Sequence, residues 1–266
     1  MKKTLALLLT VMMLILSVAC AAPAAPAAAA DDDWSYIQSK GTLVIGYTEY
    51  APMNYTENGT LIGFDTEFAE AVCAKLNLKP EFVEIDWDTK ELELAGKKID
   101  CIWNGLTVTE ERKANMDFTV SYLKNQQVVV IRTADAAKYS DAASLAGAVV
   151  VAEAGSAGAA AIAANLADSE FIEVQAQSDA LLEVKTGKAA AAVIDLTMAK
   201  AMTGDGTDYS DLSIAPIDML DEEYAIGFRV GSSAKAKVDE AIAALTADGT
   251  IAAIAEKYDL TDLLIK

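Results

Sequence analysis

The chain has 266 residues, 40 acidic against 21 basic, and a formal charge of −19. That excess argues against binding nucleic acid and against holding to an anionic membrane by charge. Histidine is absent and cysteine occurs three times, which removes the commonest general base and the commonest metal ligand and leaves too few thiols for a zinc site.

Lys2 and Lys3 precede an apolar run, Leu5 to Leu16, and then Ser17-Val18-Ala19-Cys20. This is the layout of a secretory signal peptide over residues 1–19, and its apolar stretch is too short for a comfortable membrane span. Cys20 follows a small residue where a bacterial lipoprotein signal carries its lipidated cysteine; ordinary cleavage with an incidental Cys20 is the alternative. The uncharged Ala/Pro run Ala21 to Ala30 and the acids Asp31 to Asp33 cannot bury a core, so residues 20–33 read as a lipidated tether. The remaining stretch of about 230 residues suffices for one large domain or two small ones.

From there strand and helix patterns alternate, which implies an α/β fold with mostly parallel sheets. Thr42 to Tyr47 is an apolar strand. Phe64, Phe68, Val72 and Leu76 recur at helical spacing behind Asp65, a residue suited to an N-cap. Glu81 to Ile85 and Ile99 to Trp103 read as strands, and Thr109-Glu110-Glu111 opens a short helix with a capping hydroxyl and two acids suited to its N-terminal dipole. A long strand is expected over Gln127 to Arg132. The alternation then restarts: strand Ala148 to Glu153, a Gly/Ala-rich loop, helix Ala159 to Leu166, strand Phe171 to Val174, helix Ser178 to Thr186 and strand Ala190 to Asp195. Glu223 to Val230 is another long strand, and two helices split at Asp248-Gly249 end the chain. Two βαβ series joined by long strands imply two lobes. Cys73, on a helix, and Cys101, on a strand of the same lobe, either form a disulfide in an oxidising compartment or remain two small buried thiols.

Five segments occur in order: GTLVIGYTEYAPMNYTENGTLIGFDTEFAEAV, KKIDCIWNGLTVTEERKANMDFTVSY, AVVVAEAGSAG, GKAAAAVID and ADGTIAAIAEKY. With them the chain resembles the polar amino-acid-binding proteins of ABC importers, bacterial solute-binding protein family 3, over Gly41 to Tyr258. The resemblance implies a two-lobed, periplasmic-binding-protein-like (type II) fold with a hinge and a central ligand cleft. Residues 34–123 with 223–266 would form lobe 1 and residues 124–222 lobe 2, with crossings near Tyr122–Gln126 and Met219–Glu223. It also implies an extracytoplasmic, lipid-anchored monomer that takes an L-amino acid and presents it to a permease and its ATPase, without cofactor or catalysis.

The physical task is to hold a zwitterion away from water. A buried carboxylate and a buried ammonium each need a paired, hydrogen-bonded partner. Arg112, in TVTEER, matches the carboxylate-clamping arginine of the family, and a guanidinium is a planar two-pronged donor. Asp195, ending the apolar AAAVID, matches the aspartate for the α-ammonium; the plainer role is a helix N-cap. Asn104, Gly105 and Thr107 match the ligand-contacting turn NGLT, and Gly105 would let backbone approach closely. Ser156, in EAGSAG, lies at a helix start suited to an anion. Tyr50 and Trp87 match the aromatics beside the ligand side chain, whereas Trp103 reads as core. Glu49 and Glu153 would favour a basic side chain or cystine, their alternative being solvated acids in an acidic chain. Two other readings of the same fold are an enzyme of the cyclohexadienyl-dehydratase kind, with Glu153 as its acid–base group, and a sensory ligand-binding module.

Overall fold

The computed structural model describes residues 32–265; the signal and Cys20, with all but the last two residues of the tether, lie outside them. The tether ends earlier than its composition implies. Asp33 is already the first residue of helix α1 (Asp33–Lys40), is buried, and pairs with Arg229 at 2.9 Å. Its charge marks an ion pair, which composition alone does not separate from a solvated acid run.

Two mixed sheets carry the fold. The first has the order β4 (Lys79–Glu84), β1 (Thr42–Tyr47), β5 (Cys101–Ile102), β13 (Gly227–Arg229), β6 (Met116–Phe118). Strands β4, β1 and β5 run parallel, and β13 lies antiparallel to both β5 and β6. A hairpin of β2 (Tyr55–Glu57) and β3 (Thr60–Ile62) stands apart. The second sheet has the order β11 (Leu212–Ile214), β7 (Leu123–Arg132), β10 (Ala191–Asp195), β8 (Val149–Glu153), β9 (Glu170–Val174). Strands β8, β9 and β10 are parallel, while β7 runs against β10. The parallel expectation therefore holds for the βαβ series and not for the strands that cross between sheets.

The crossing strands depart furthest from the pattern. The long strand expected at Glu223 to Val230 is two short ones: β12 (Asp221–Tyr224) pairs antiparallel with Leu123 to Gln126 of β7, and β13 joins the first sheet. Buried Ala225 and Ile226 between them change partner from one sheet to the other. A continuous apolar run hides such a change, because burial persists across it.

Helix α2 (Phe64–Leu76) buries Phe64, Phe68 and Val72, one face at a spacing of four residues, and packs on α8 (Ser233–Ala247) and α9 (Thr250–Lys257). Phe68 meets the ring of Trp103 edge-on at 5.0 Å, confirming Trp103 as core. Burial of each such aromatic contributes about 1.5–3 kcal/mol. Asp65 is not the cap of this helix. Gly63 occupies that position, and the Asp65 carboxylate is buried, accepting from Gly105 N–H at 2.6 Å and Tyr122 Oη at 2.9 Å. Cys73 and Cys101 are both buried free thiols, so no disulfide joins them. The second core gathers Val129, Ile131, Val150, Ile162 and Val193 between its sheet and α5 (Ala157–Asn165), while α6 (Gln177–Lys185) packs on that sheet through Ala180, Leu181 and Val184 beside Ala192 and Ile194. The remaining helices are α3 (Lys90–Ala95), α4 (Glu110–Lys113) and α7 (Leu196–Met202).

Candidate functional site

Parallel strands leave their loops at one end, and both sheets direct those loops into one cleft. The cleft holds about 270 Å³, mouth included, lined from the first sheet by Thr48, Tyr50, Trp87, Asn104, Gly105, Thr107 and Arg112 and from the second by Glu153, Ser156, Ala157, Gln177 and Asp195. Nine of the sequence-predicted residues meet here: Tyr50, Trp87, Asn104, Gly105, Thr107, Arg112, Glu153, Ser156 and Asp195. Glu49 does not. Its half-buried side chain accepts from Thr56 N–H at 3.0 Å and Thr56 Oγ1 at 2.5 Å, tying down the start of the hairpin.

Arg112 lies on α4, whose start is capped by Thr109 Oγ1 accepting from Arg112 N–H at 3.1 Å. Its guanidinium is only 7 % exposed, donates to the carbonyls of Thr107 at 2.9 Å and Gly155 at 3.2 Å, and has no carboxylate at ion-pair distance among the described residues. It rests 6.0 Å from the centre of the Trp87 ring. A buried cation with backbone carbonyls alone is poorly compensated.

Asp195 ends β10 and precedes α7, yet its side chain caps nothing. Its Oδ1 accepts from Asn125 Nδ2 at 2.6 Å and Gln127 Nε2 at 2.8 Å, and its Oδ2 from Gln177 Nε2. Gln177 Oε1 also accepts the Asp195 N–H at 3.0 Å. Neutral amides fix the carboxylate in place without cancelling its charge.

Glu153 ends β8 and is 3 % exposed, and its carboxylate accepts no hydrogen bond among the described residues. Burial, with Asp195 nearby, pushes its carboxyl up to about 8 against the pull of Lys90 and Arg112. Lys90 is buried beside it, donating to Trp87 O at 3.0 Å and Gly155 O at 2.9 Å; burial first, then Arg112, brings its pKa down to about 8.

The remaining predicted residues act through position. Asn104 spends its amide on Thr48 and Asn54, with Oδ1 accepting from Thr48 N–H at 3.0 Å and Nδ2 donating to Asn54 Oδ1 at 2.7 Å. Gly105 has φ +56°, and a Cβ there would lie 2.6 Å from the Tyr50 ring, so glycine serves both conformation and closeness. Ser156 caps α5, its Oγ accepting Ala159 N–H at 3.1 Å, while also lining the cleft. Tyr50 Oη lies 2.5 Å from Thr197 Oγ1 and 2.6 Å from Tyr224 Oη, linking the loop after β1 to α7.

Asn125, Gln127, Gln177, Thr197, Glu222 and Lys90 escape the sequence reading. One signal was available: Asn125 and Gln127 are two amides on one face of a strand that continues as Val128 to Ile131, and buried amides on such a strand require polar partners.

The chain is similar to known proteins over most of its length. The chain is 25% identical over 232 residues to the "Arginine-binding extracellular protein ArtP" of Bacillus subtilis, covering 82% of this chain and 86% of that one. It is 24% identical to the "L-cystine-binding protein TcyJ" of Escherichia coli K12, covering 84% of each. A crystal structure of an ABC uptake transporter substrate-binding protein from Streptococcus pneumoniae with bound histidine superposes with TM-score 0.82 at 30% identity, over 90% of this chain and all of that one. The model of one family matches residues 43–261, and the chain belongs to it: the bacterial extracellular solute-binding proteins, family 3.

Proposed function

We propose that this chain captures an L-amino acid with a basic or amine-bearing side chain between two closing lobes and delivers it to the permease and ATPase of an ABC importer. The observation that carries the reading is a guanidinium without an acidic partner and a carboxylate held by neutral amides, facing one cavity from opposite sheets. A zwitterion supplies the missing charge to each. Thr107 and Gly105 complete the contacts with the α-substituents, Ser156 and the start of α5 assist at the carboxylate, and Tyr50 and Trp87 flank the side chain. Glu153, lacking a donor, receives the ligand's distal cation. The names of the similar proteins, arginine- and cystine-binding, support this class.

The lobes on this reading are residues 34–123 with 223–266, and residues 124–222, turning on the paired strands β7 and β12. Residues 1–19 serve as a signal peptide and Cys20 as the lipid anchor of a monomer that carries no cofactor. A thermal-shift screen of the twenty amino acids with cystine and ornithine tests it, since a ligand of the folded form raises the melting temperature. A shift confined to acidic or apolar amino acids overturns the basic preference.

A second reading, an enzyme of the cyclohexadienyl-dehydratase kind, draws on Glu153 alone, because a carboxyl pushed up to about 8 is suited to acid–base transfer. Turnover of arogenate or prephenate by the purified chain decides for it.

A further inference from the structure

Asp195 does not stand alone. Asn125 Nδ2 donates to Asp195 Oδ1 at 2.6 Å and to Glu222 Oε1 at 2.5 Å, and Gln127 Nε2 donates to the same two oxygens at 2.8 and 2.9 Å. Thr107 Oγ1 adds a third donor to Glu222 Oε1 at 2.9 Å. Two acids from different strands, β10 and β12, thus share two amide groups. Like charges so placed repel when both are ionised, and little water is present to screen them. One proton between them removes that cost. Burial and the adjacent Asp195 push the Glu222 carboxyl up to about 8, so Glu222 is the member that holds it near neutrality. Its Oε1 is occupied by three donors, which leaves Oε2 for the proton.

The two acids also face different spaces. Asp195 lines the ligand cleft, whereas Glu222 lines a separate groove with Lys124, Asn125, Leu196 and Leu263 on the crossing strands. The other charged or titratable groups around the pair, among the described residues, are Arg112, the hydroxyls of Tyr50 and Tyr224, Glu153 on the neighbouring strand β8, and Lys124, Asp221 and Glu223 along the groove.

We propose that Glu222 belongs to the ammonium subsite: in the unliganded protein one proton rests on the Asp195–Glu222 pair, and docking of the ligand's ammonium against Asp195 expels it from Glu222 through the groove on the crossing strands. The inference rests on the assignment of Asp195 to the ammonium. The O–H bond of Glu222 breaks, its electron pair stays on the carboxylate, and water or buffer takes the proton; the ligand keeps all three of its own. One negative charge becomes two, and the arriving positive charge restores the original total, so closure does not leave a net charge change in a desolvated place.

The test is calorimetric titration at neutral pH in buffers of different ionisation heat, using the amino acid with the largest thermal shift, L-arginine being tried first. The observed heat should vary with the buffer, and the number of protons released should fall by about one in Glu222→Gln. Glu153→Gln separates any proton contributed by that residue. Without ligand, the infrared difference between wild type and Glu222→Gln should show a protonated carboxyl at neutral pH that is lost above about pH 8. Binding that releases no proton in the wild type, or an undiminished release in Glu222→Gln, or a missing infrared band, overturns the inference and leaves the amino-acid reading standing. Failure of every amino acid in the screen overturns that reading first.

Discussion

Arg112 and Gly155 meet across the cleft: one guanidinium nitrogen lies 3.2 Å from the Gly155 carbonyl oxygen while the other holds Thr107 at 2.9 Å. The planar fork therefore spans loops of both sheets and still presents charge to the cavity. Arg112→Lys keeps the charge and loses the fork. Calorimetry should show ligand binding weakened by about 1.5–3 kcal/mol, the worth of one charged hydrogen bond. Equal affinity would place Arg112 outside the ligand contacts.

Asp195→Ala removes the anion and leaves Asn125, Gln127 and Gln177 without their shared acceptor. Loss of one partner of a desolvated charge pair costs about 2–5 kcal/mol. Binding should fall by that amount in calorimetry, and Asp195→Asn should lie between the two. An unchanged dissociation constant would remove Asp195 from the subsite.

Selectivity should move with Glu153. Glu153→Leu fills its place with a side chain that needs no donor, so the thermal-shift ranking should turn from basic toward neutral amino acids. A ranking that stays basic would show that the distal cation is read elsewhere.

Stability of the ligand-free protein should fall as pH rises. Burial holds Asp65 up to about 7, and Glu153 and Glu222 up to about 8, so the folded form binds more protons than the unfolded one from the ordinary carboxylate range to those values. Each group then weakens folding by about 1.4 kcal/mol per pH unit within its window. The melting temperature should be higher near pH 5 than near pH 8, and Asp65→Asn should flatten the slope. A rising profile in the wild type would contradict the protonated state of these groups.

Cys73 and Cys101 should resist thiol reagents in the native protein and react together on unfolding. Both are buried, and burial pushes Cys73 up to about 12 and Cys101 well above the ordinary thiol value. Rapid labelling of either under native conditions would show an opening of the first core.

The βαβ pattern is legible because it is local, and most cleft residues are legible because they sit in short motifs that resemble the family's, at a strand end, a turn or a cap. Thr109 and Gly105 announce their roles within a few residues. What stayed hidden depends on pairing at a distance. Glu49 looked like Glu153 in sequence, yet a strand end faces the cleft and a hairpin start faces Thr56. Asp65 reads as a cap until Gly105 N–H, 40 residues away, is found on its carboxylate. Glu222 is one acid in an acidic run, and nothing nearby in sequence shows that it shares amides with Asp195. The change of sheet between β12 and β13 is likewise invisible in an unbroken apolar stretch.

Because Leu123 to Gln126 and Asp221 to Tyr224 are hydrogen-bonded to each other, the connection between the sheets is a two-ply ribbon. Such a ribbon bends and twists far more readily than it stretches or lets its strands slide. The molecule can then open chiefly by rotation about that ribbon, and every jaw contact, from Arg112 to Gly155 and from Tyr50 to Thr197, must part in one coordinated swing.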